Sequence, residues 1–330
     1  MMSIQNGRNN DLKVHVLKTL LYYDIFNYPL KSKEVFRFLG ANSITEDDVR
    51  NTLDSLANEV LIYRFDNLYS LHPNESNIQR RVKGNNEAEK YLLVAQKKAK
   101  LISKFPFIRG VLASGSLSKG YMDEKSDIDF FIITAPRRLW IARTLLVLYK
   151  RIFLGGSHKH FCVNYFVDED HLEIEEKNLF TATELATVLP LYGSEQYSRL
   201  IETNGWLNGF FPNYIARPVE NVPKSAVTGL KKIAERLINA CFAINIDSYF
   251  RGLTMKRWKK LYENEYSKAD FDIAFKSKAY ASKNHPQHFQ RKIMEIYAEK
   301  LKRFNFSSVF KNKQTLSIDN SVQRSEIQNL

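Results

Sequence analysis

Residues Val111–Thr134 read VLASGSLSKGYMDEKSDIDFFIIT, and the order of residue types in this stretch decides the fold. An apolar run ends in small residues, Gly115-Ser116 follows, a polar loop carries Lys119 and Gly120, and Asp127-Ile128-Asp129 opens a second apolar run. That order predicts strand, turn, strand. Side chains alternate along a strand, so Asp127 and Asp129 share one face while Ile128 and Phe130 turn to a core on the other. Two carboxylates so placed repel, and a hard cation between them relieves the repulsion. Mg²⁺ suits the pair, because it takes oxygen ligands and is commonly held by one or two carboxylates together with substrate phosphates. Gly115 allows close approach of backbone to a ligand. Ser116 and the amides of Leu117 to Gly120 are candidate phosphate donors where a short helix begins, and Lys119 adds positive charge to the same turn.

Gly115-Ser116, ten intervening residues and then Asp127-Ile128-Asp129-Phe130 resembles the signature of the DNA polymerase β-type nucleotidyltransferase superfamily. Gly-Ser-Leu-Ser-Lys-Gly followed by Ser-Asp-Ile-Asp is similar to the form found in small bacterial nucleotidyltransferase domains and in antibiotic-modifying members. The resemblance covers about Arg109 to Val167. It implies that Asp127 and Asp129 bind the metal, that Gly115, Ser116 and Lys119 hold the phosphates of an NTP, and that a third carboxylate comes from the next core strand. The segment Arg137–Phe153 has the stripe Leu139, Ala142, Leu146 and Tyr149 of a helix, ended by Gly155-Gly156. Phe161–Val167 (FCVNYFV) then reads as the third strand, with Asn164 where the family pattern puts the acid. An amide oxygen can ligate a metal, but it brings no charge and cannot act as a general base. Asp168, Glu173 and Glu175, on the turn and expected strand that follow, are the candidates to substitute for that acid, although acids in such places are usually solvated.

Outward from this core, the first part of the chain predicts a winged-helix-like module. Its parts are a helix over Asp11–Tyr23, a turn at Tyr28-Pro29-Leu30, a helix capped by Ser32 and ending near Gly40, and a helix capped by Thr45 with the stripe Val49, Leu53, Leu56 and Val60. A hairpin of Leu61–Arg64 and Leu68–Leu71 follows. The expected recognition helix holds Glu46, Asp47, Asp48, Asp54 and Glu59 against Arg50, the wrong sign for phosphate contacts, which argues against DNA as its partner. Pro73–Asn86 is polar and reads as a boundary, and a basic amphipathic helix from about Glu87 to Lys104 leads into the core. Asn178–Leu189 and Ser194–Glu202 predict helices separated by Pro190–Gly193, and from Ser225 the pattern is helical almost to the end.

The fold class expected is therefore α/β (α+β): a nucleotidyltransferase core with a small mixed sheet over 76–192, the winged-helix-like module over 1–75, a helical domain over 193–305 and a disordered tail over 306–330. The formal charge of +13 is uneven: Met1–Arg80 carries nine basic and ten acidic residues, whereas Arg251–Arg303 carries fourteen and six. There Trp258, Tyr262 and Tyr280 interleave with the bases, a pattern that serves equally for a solvated face or for a surface binding a triphosphate, a phosphorylated acceptor or RNA. Phe289, Ile293, Ile296 and Tyr297 read as core. His285 and His288 flank Pro286 with no further ligand nearby, too sparse for a metal site. Cys162 and Cys241 sit in apolar surroundings as free thiols, no apolar stretch reaches spanning length, and the expected location is cytoplasmic, without a membrane. The implied reaction is transfer of an NMP from an Mg²⁺-bound NTP to an acceptor hydroxyl of a small molecule, protein or RNA. A nucleotide-binding regulator that has lost turnover, or an antibiotic-type small-molecule transferase, is the competing reading.

Overall fold

The computed structural model describes residues 2–155, 159–241, 245–284, 289–304 and 306, with the backbone alone at 2–9 and at a few later helical positions. The tail from 307 and the pair His285 and His288 lie outside the described residues, as does the side chain of Cys241. The architecture is mixed α and β. Contacts divide the chain into two compact units, one from the described residues of 1–80, 208–214 and 293–330, the other from 81–207 and 215–292. These limits differ from those drawn from composition, because residues far apart in sequence join the same unit.

In the first unit, helix α1 (Met2–Asp24) buries Leu12, Val16, Leu17, Leu20 and Leu21. Strand β1 (Leu30–Lys31), helix α2 (Ser32–Arg37), helix α3 (Glu46–Asn58) and strands β2 (Tyr63–Phe65) and β3 (Leu68–Ser70) follow. The strands form an antiparallel sheet in the order β1-β3-β2, so Leu30, expected in a turn, is a ladder residue opposite Tyr69. Lys31 rather than Ser32 caps α2. Thr45 caps α3: its hydroxyl accepts from the Asp48 amide at 3.1 Å while an Asp48 oxygen accepts from the Thr45 amide at 2.9 Å, which occupies two donors the helix end would leave unpaired. Val49, Leu53 and Leu56 are fully buried, but Val60 is 69% exposed with φ 58°. The amides of Val60 and Leu61 donate to Ala57 and Leu56 at 3.0 Å each, closing the helix in a Schellman turn whose left-handed position is normally a glycine.

In the second unit, helix α4 (Glu75–Ile102) runs straight through Lys83-Gly84-Asn85-Asn86, the stretch expected to be a boundary. The reason is a packed loop: a Cβ on Gly84 would lie 2.2 Å from the Tyr121 ring, and Met122 N donates to Gly84 O at 3.0 Å. Strand β4 (Ile108–Ser114), the short helix α5 (Gly115–Ser118), strand β5 (Asp129–Thr134), helix α6 (Leu139–Phe153) and strand β6 (Cys162–Asp168) come next. Helix α7 (Leu179–Thr187), strand β7 (Leu189–Tyr192), helix α8 (Ser194–Thr203) and helix α9 (Leu207–Phe210) continue the chain. Helices α10 (Gly229–Cys241), α11 (Asn245–Tyr262) and α12 (Lys268–Ala274) and strand β8 (Ala281–Lys283) follow, while helix α13 (Phe289–Arg303) from Ile293 on, like α9 from residue 208 on, belongs to the first unit.

The five-stranded sheet has the order β7-β4-β5-β6-β8. β5 and β6 are parallel and joined by the α6 crossover, and the other neighbours are antiparallel. Val111, Phe130 and Ile132 pack on one side with α4 and α6, while Leu112, Phe131 and Ile133 pack on the other with Leu185 of α7 and Tyr197 of α8. Two strands were missed. Pro190 and its neighbours, expected to be a connection, form edge strand β7, and β8 interrupts the expected helical run. Proline is tolerated in β7 because an edge strand leaves one row of amides unpaired. No strand forms at Glu173–Glu175; Glu175 instead meets Lys278 at 2.6 Å, Tyr280 at 3.0 Å and Lys276 at 3.1 Å.

The aromatic half of the basic C-terminal pattern is partly core: Trp258 is 4% exposed against Trp140, and Tyr262 stacks on Phe275. Phe289, expected in the core, is 44% exposed, while Ile293 is buried. Among the described residues, no helix is long and apolar enough to cross a membrane.

Candidate functional site

Strand β5 starts at Asp129, so Asp127 and Ile128 lie in the loop before it and not on the expected strand; Ile128 and Phe130 are still fully buried, and Asp127 and Asp129 partly exposed. Asp129 heads the sheet face that continues through Phe131 and Ile133 under α7 and α8. Opposite it in the β4–β5 ladder is Ser114, the residue before Gly115. Gly115 has φ +63°, and a Cβ there would lie 2.4 Å from Asp129 Oδ2. Only glycine lets the turn pass this close to the carboxylate.

The helix α5 that follows spends some of the amides expected to meet phosphate. Lys119 N donates to Ser116 O at 3.0 Å and Gly120 N to Leu117 O at 2.9 Å. The amides of Ser116 and Leu117, in the first turn, are of the kind that has no intrahelical acceptor. The Ser118 hydroxyl donates to Gly115 O at 2.9 Å, and Arg217 Nη2 donates to Ser118 O at 2.7 Å and to Thr187 O at 3.2 Å. Arg217 thereby ties the turn to the end of α7.

Asn164 reaches the acid pair through an irregularity in β6. Phe130 pairs with Val163 and Phe131 with Tyr165, so Asn164 is the extra residue of a bulge. A bulge re-aims the side chain it carries. The Asn164 Nδ2 donates to Asp129 Oδ1 at 2.8 Å, and its own Oδ1 is 3.1 Å from the Cys162 Sγ. Its carbonyl accepts from the Asn284 amide at 2.9 Å, so β8 and the residue after it hold the bulge in place.

Burial, and then the charges of Asp127 and Glu184, push the Asp129 carboxyl up to about 6 against the lowering pull of the Cys162 thiol and Lys119. Burial, with Asp129 beside it, pushes the Cys162 thiol up to about 12. Lys150, buried near the end of α6, is lowered by desolvation; Cys162 and Asp127 pull it the other way.

Lys119 points where the turn requires but is engaged. Its amine donates to Gly115 O at 3.1 Å and forms an ion pair with Glu184 of α7 at 2.6 Å, the two side chains being 24% and 29% exposed. Glu184 and Arg217 were missed in the sequence, where neither belongs to a motif; packing of α7 and of the chain after α9 brings them to the turn. Asp168, considered as a substitute acid, is 2.7 Å from His171, and Glu175 is taken up by Lys276 and Lys278.

The donor types fit a divalent hard cation: Asp129 opens β5, Asp127 lies two residues before it in the loop, and burial and then the Asp127 charge hold the Asp129 carboxyl up. Among the described residues no group of three or more His, Cys, Asp or Glu side chains is placed to hold a metal. Protein ligation would come from Asp127 and Asp129, with Asn164 against Asp129.

No family model matches the chain, and no curated protein or solved structure matches it either.

Proposed function

We propose that the protein is a Mg²⁺-dependent nucleotidyltransferase that moves an NMP from an NTP to an acceptor hydroxyl and releases pyrophosphate. The observation that carries this reading is the pairing of the Gly115 turn with Asp129: the backbone approaches the carboxylate so closely that a Cβ would stand 2.4 Å from Oδ2. A phosphate-sized ligand at the turn is then within reach of the acid pair. Mg²⁺, when bound, would offset the charge that develops on transfer. Asp127 and Asp129 would hold it, and Ser116, Lys119 and the first amides of α5 would orient the triphosphate. The order of strands and helices in the first unit supports a winged-helix-like module appended to this core.

A second reading, a nucleotide-binding regulator without turnover, draws on one observation: Asn164, at the third position, donates a hydrogen bond to Asp129 and supplies no charge. Calorimetric titration of the four NTPs with Mg²⁺, on the wild type and on the double variant Asp127→Asn, Asp129→Asn, tests the site. One nucleotide is expected to bind the wild type and not the variant. Equal binding by both, or none by either, removes the assignment. Pyrophosphate release on binding separates the enzyme from the regulator.

A further inference from the structure

The third acid of the site need not come from the sheet. Glu184 lies on α7, and the next residue, Leu185, packs in the same cluster as Phe131 and Ile133, on the face that Asp129 heads. Its Oε1 is 2.6 Å from Lys119 Nζ, and that amine also donates at 3.1 Å to Gly115 O, the glycine that touches Asp129. A chain of contacts therefore runs from Glu184 through Lys119 and Gly115 to Asp129. Glu184 is also anchored from behind: Thr187 Oγ1 donates to its carbonyl at 3.0 Å, and the Thr187 carbonyl accepts from Arg217, which braces the turn itself. Of the alternatives on or after β6, Asn164 is an amide, Asp168 and Glu175 are engaged as described above, and Glu173 pairs with Lys177 at 2.7 Å.

Resting on the nucleotidyltransferase reading, we propose that Glu184 supplies the missing third carboxylate, as a catalytic general base that Lys119 holds in reserve until a triphosphate takes the lysine. With phosphate at the turn, Lys119 exchanges a carboxylate partner for a phosphate one, and Glu184 is released from the lysine. The acceptor's O–H proton passes to a Glu184 oxygen, and the acceptor oxygen forms its bond to the α-phosphorus. The bond from that phosphorus to the bridging oxygen of pyrophosphate breaks, and its electron pair leaves with pyrophosphate. Asn164 then serves a different purpose, orienting Asp129, for which it needs no charge.

The two roles of Glu184 pull measurable quantities in opposite directions. Glu184→Gln takes the carboxylate partner from Lys119 and removes a negative charge near the phosphates, so the Mg²⁺ complex of the NTP that the wild type binds should bind about fivefold tighter by calorimetry. Hydrolytic pyrophosphate release, with water in place of the acceptor, should fall roughly 100-fold or more. Tighter binding with turnover within about twofold of wild type overturns the proposal, since Glu184 then only restrains Lys119. Unchanged or weaker binding overturns it too, because Lys119 is then not what Glu184 withholds. A wild type that binds nucleotide without releasing pyrophosphate overturns the base assignment and leaves the nucleotide site standing; a wild type that binds no NTP removes the underlying reading instead. Should the thermal melt show that Glu184→Gln does not fold, Glu184→Asp decides. It keeps the charge but withdraws it by one methylene, so turnover should drop about tenfold at unchanged affinity, and undiminished turnover overturns the proposal.

Discussion

An aspartate ordinarily titrates near 3.8, and in the folded chain Asp129 titrates at about 6. Between those values the folded state binds more protons than the unfolded one, so stability falls as pH rises through this window. Above it the fold carries the full cost of an ionised Asp129, roughly 2–3 kcal/mol. Asp129→Asn is therefore expected to raise the melting temperature at pH 8, to leave it nearly unchanged at pH 4, and to abolish Mg²⁺–NTP binding. A melting temperature that falls at pH 8 would show the carboxylate to be a structural partner of Asn164 rather than a strained ligand. Gly115→Ala is the complementary change. It places a Cβ against Asp129 Oδ2 at a backbone angle of φ +63°, and is expected to cost at least about 2 kcal/mol and to remove nucleotide binding.

Two elements carry residues that propensity alone would not choose. Helix α3 ends at Val60, a β-branched residue at φ 58° with its side chain in water. Val60→Asn is expected to raise stability by about 0.5–1 kcal/mol, read as a shift of the urea midpoint at constant m. Helix α4 carries Gly84, where alanine would be the better helix former by about 1 kcal/mol. Gly84→Ala is nevertheless expected to destabilise by about 1–3 kcal/mol, because the methyl meets the Tyr121 ring, whose hydroxyl is 3.0 Å from Asp123 Oδ2. Most of that loss should vanish in a Tyr121→Ala background, and full additivity in the double-mutant cycle would refute the contact.

At the scale of the whole molecule, contacts between distant segments hold the second unit together. Glu235 of α10 accepts from Phe107 N at 2.7 Å and takes Arg109 in a two-pronged pair at 2.9 Å and 2.9 Å. Lys231, one turn earlier, donates to Ile108 O at 2.6 Å, and burial holds its pKa down at about 8. Both side chains of α10 thus dock on the start of β4, the strand that leads to the Gly115 turn. Glu235→Ala takes the carboxylate from Arg109 and the nearby negative charge from Lys231, and should cost about 3 kcal/mol in a chemical denaturation curve. A loss below about 1 kcal/mol would mean that the pair behaves as a solvated one.

What the amino-acid order determined by itself is local. Period-two alternation marked Ile128 and Phe130 as buried between the partly exposed Asp127 and Asp129, the Thr45–Asp48 box started α3, and the stripe Leu139, Ala142, Leu146 marked α6. Each of these is written within a few residues, where backbone geometry alone relates one side chain to the next. Tertiary structure decided the rest. Strands β7 and β8 are too short to show a pattern, and exist because β4 and β6 offer them open edges. Gly84 reads as a helix breaker until the Tyr121 loop fills its place. Asn164 turns to Asp129 through a bulge that depends on the register of two strands, and Glu184 and Arg217 reach the Gly115 turn from segments about 70 and 100 residues away. Those relations are set by packing, which orders side chains by distance in space and leaves no mark on their spacing along the chain.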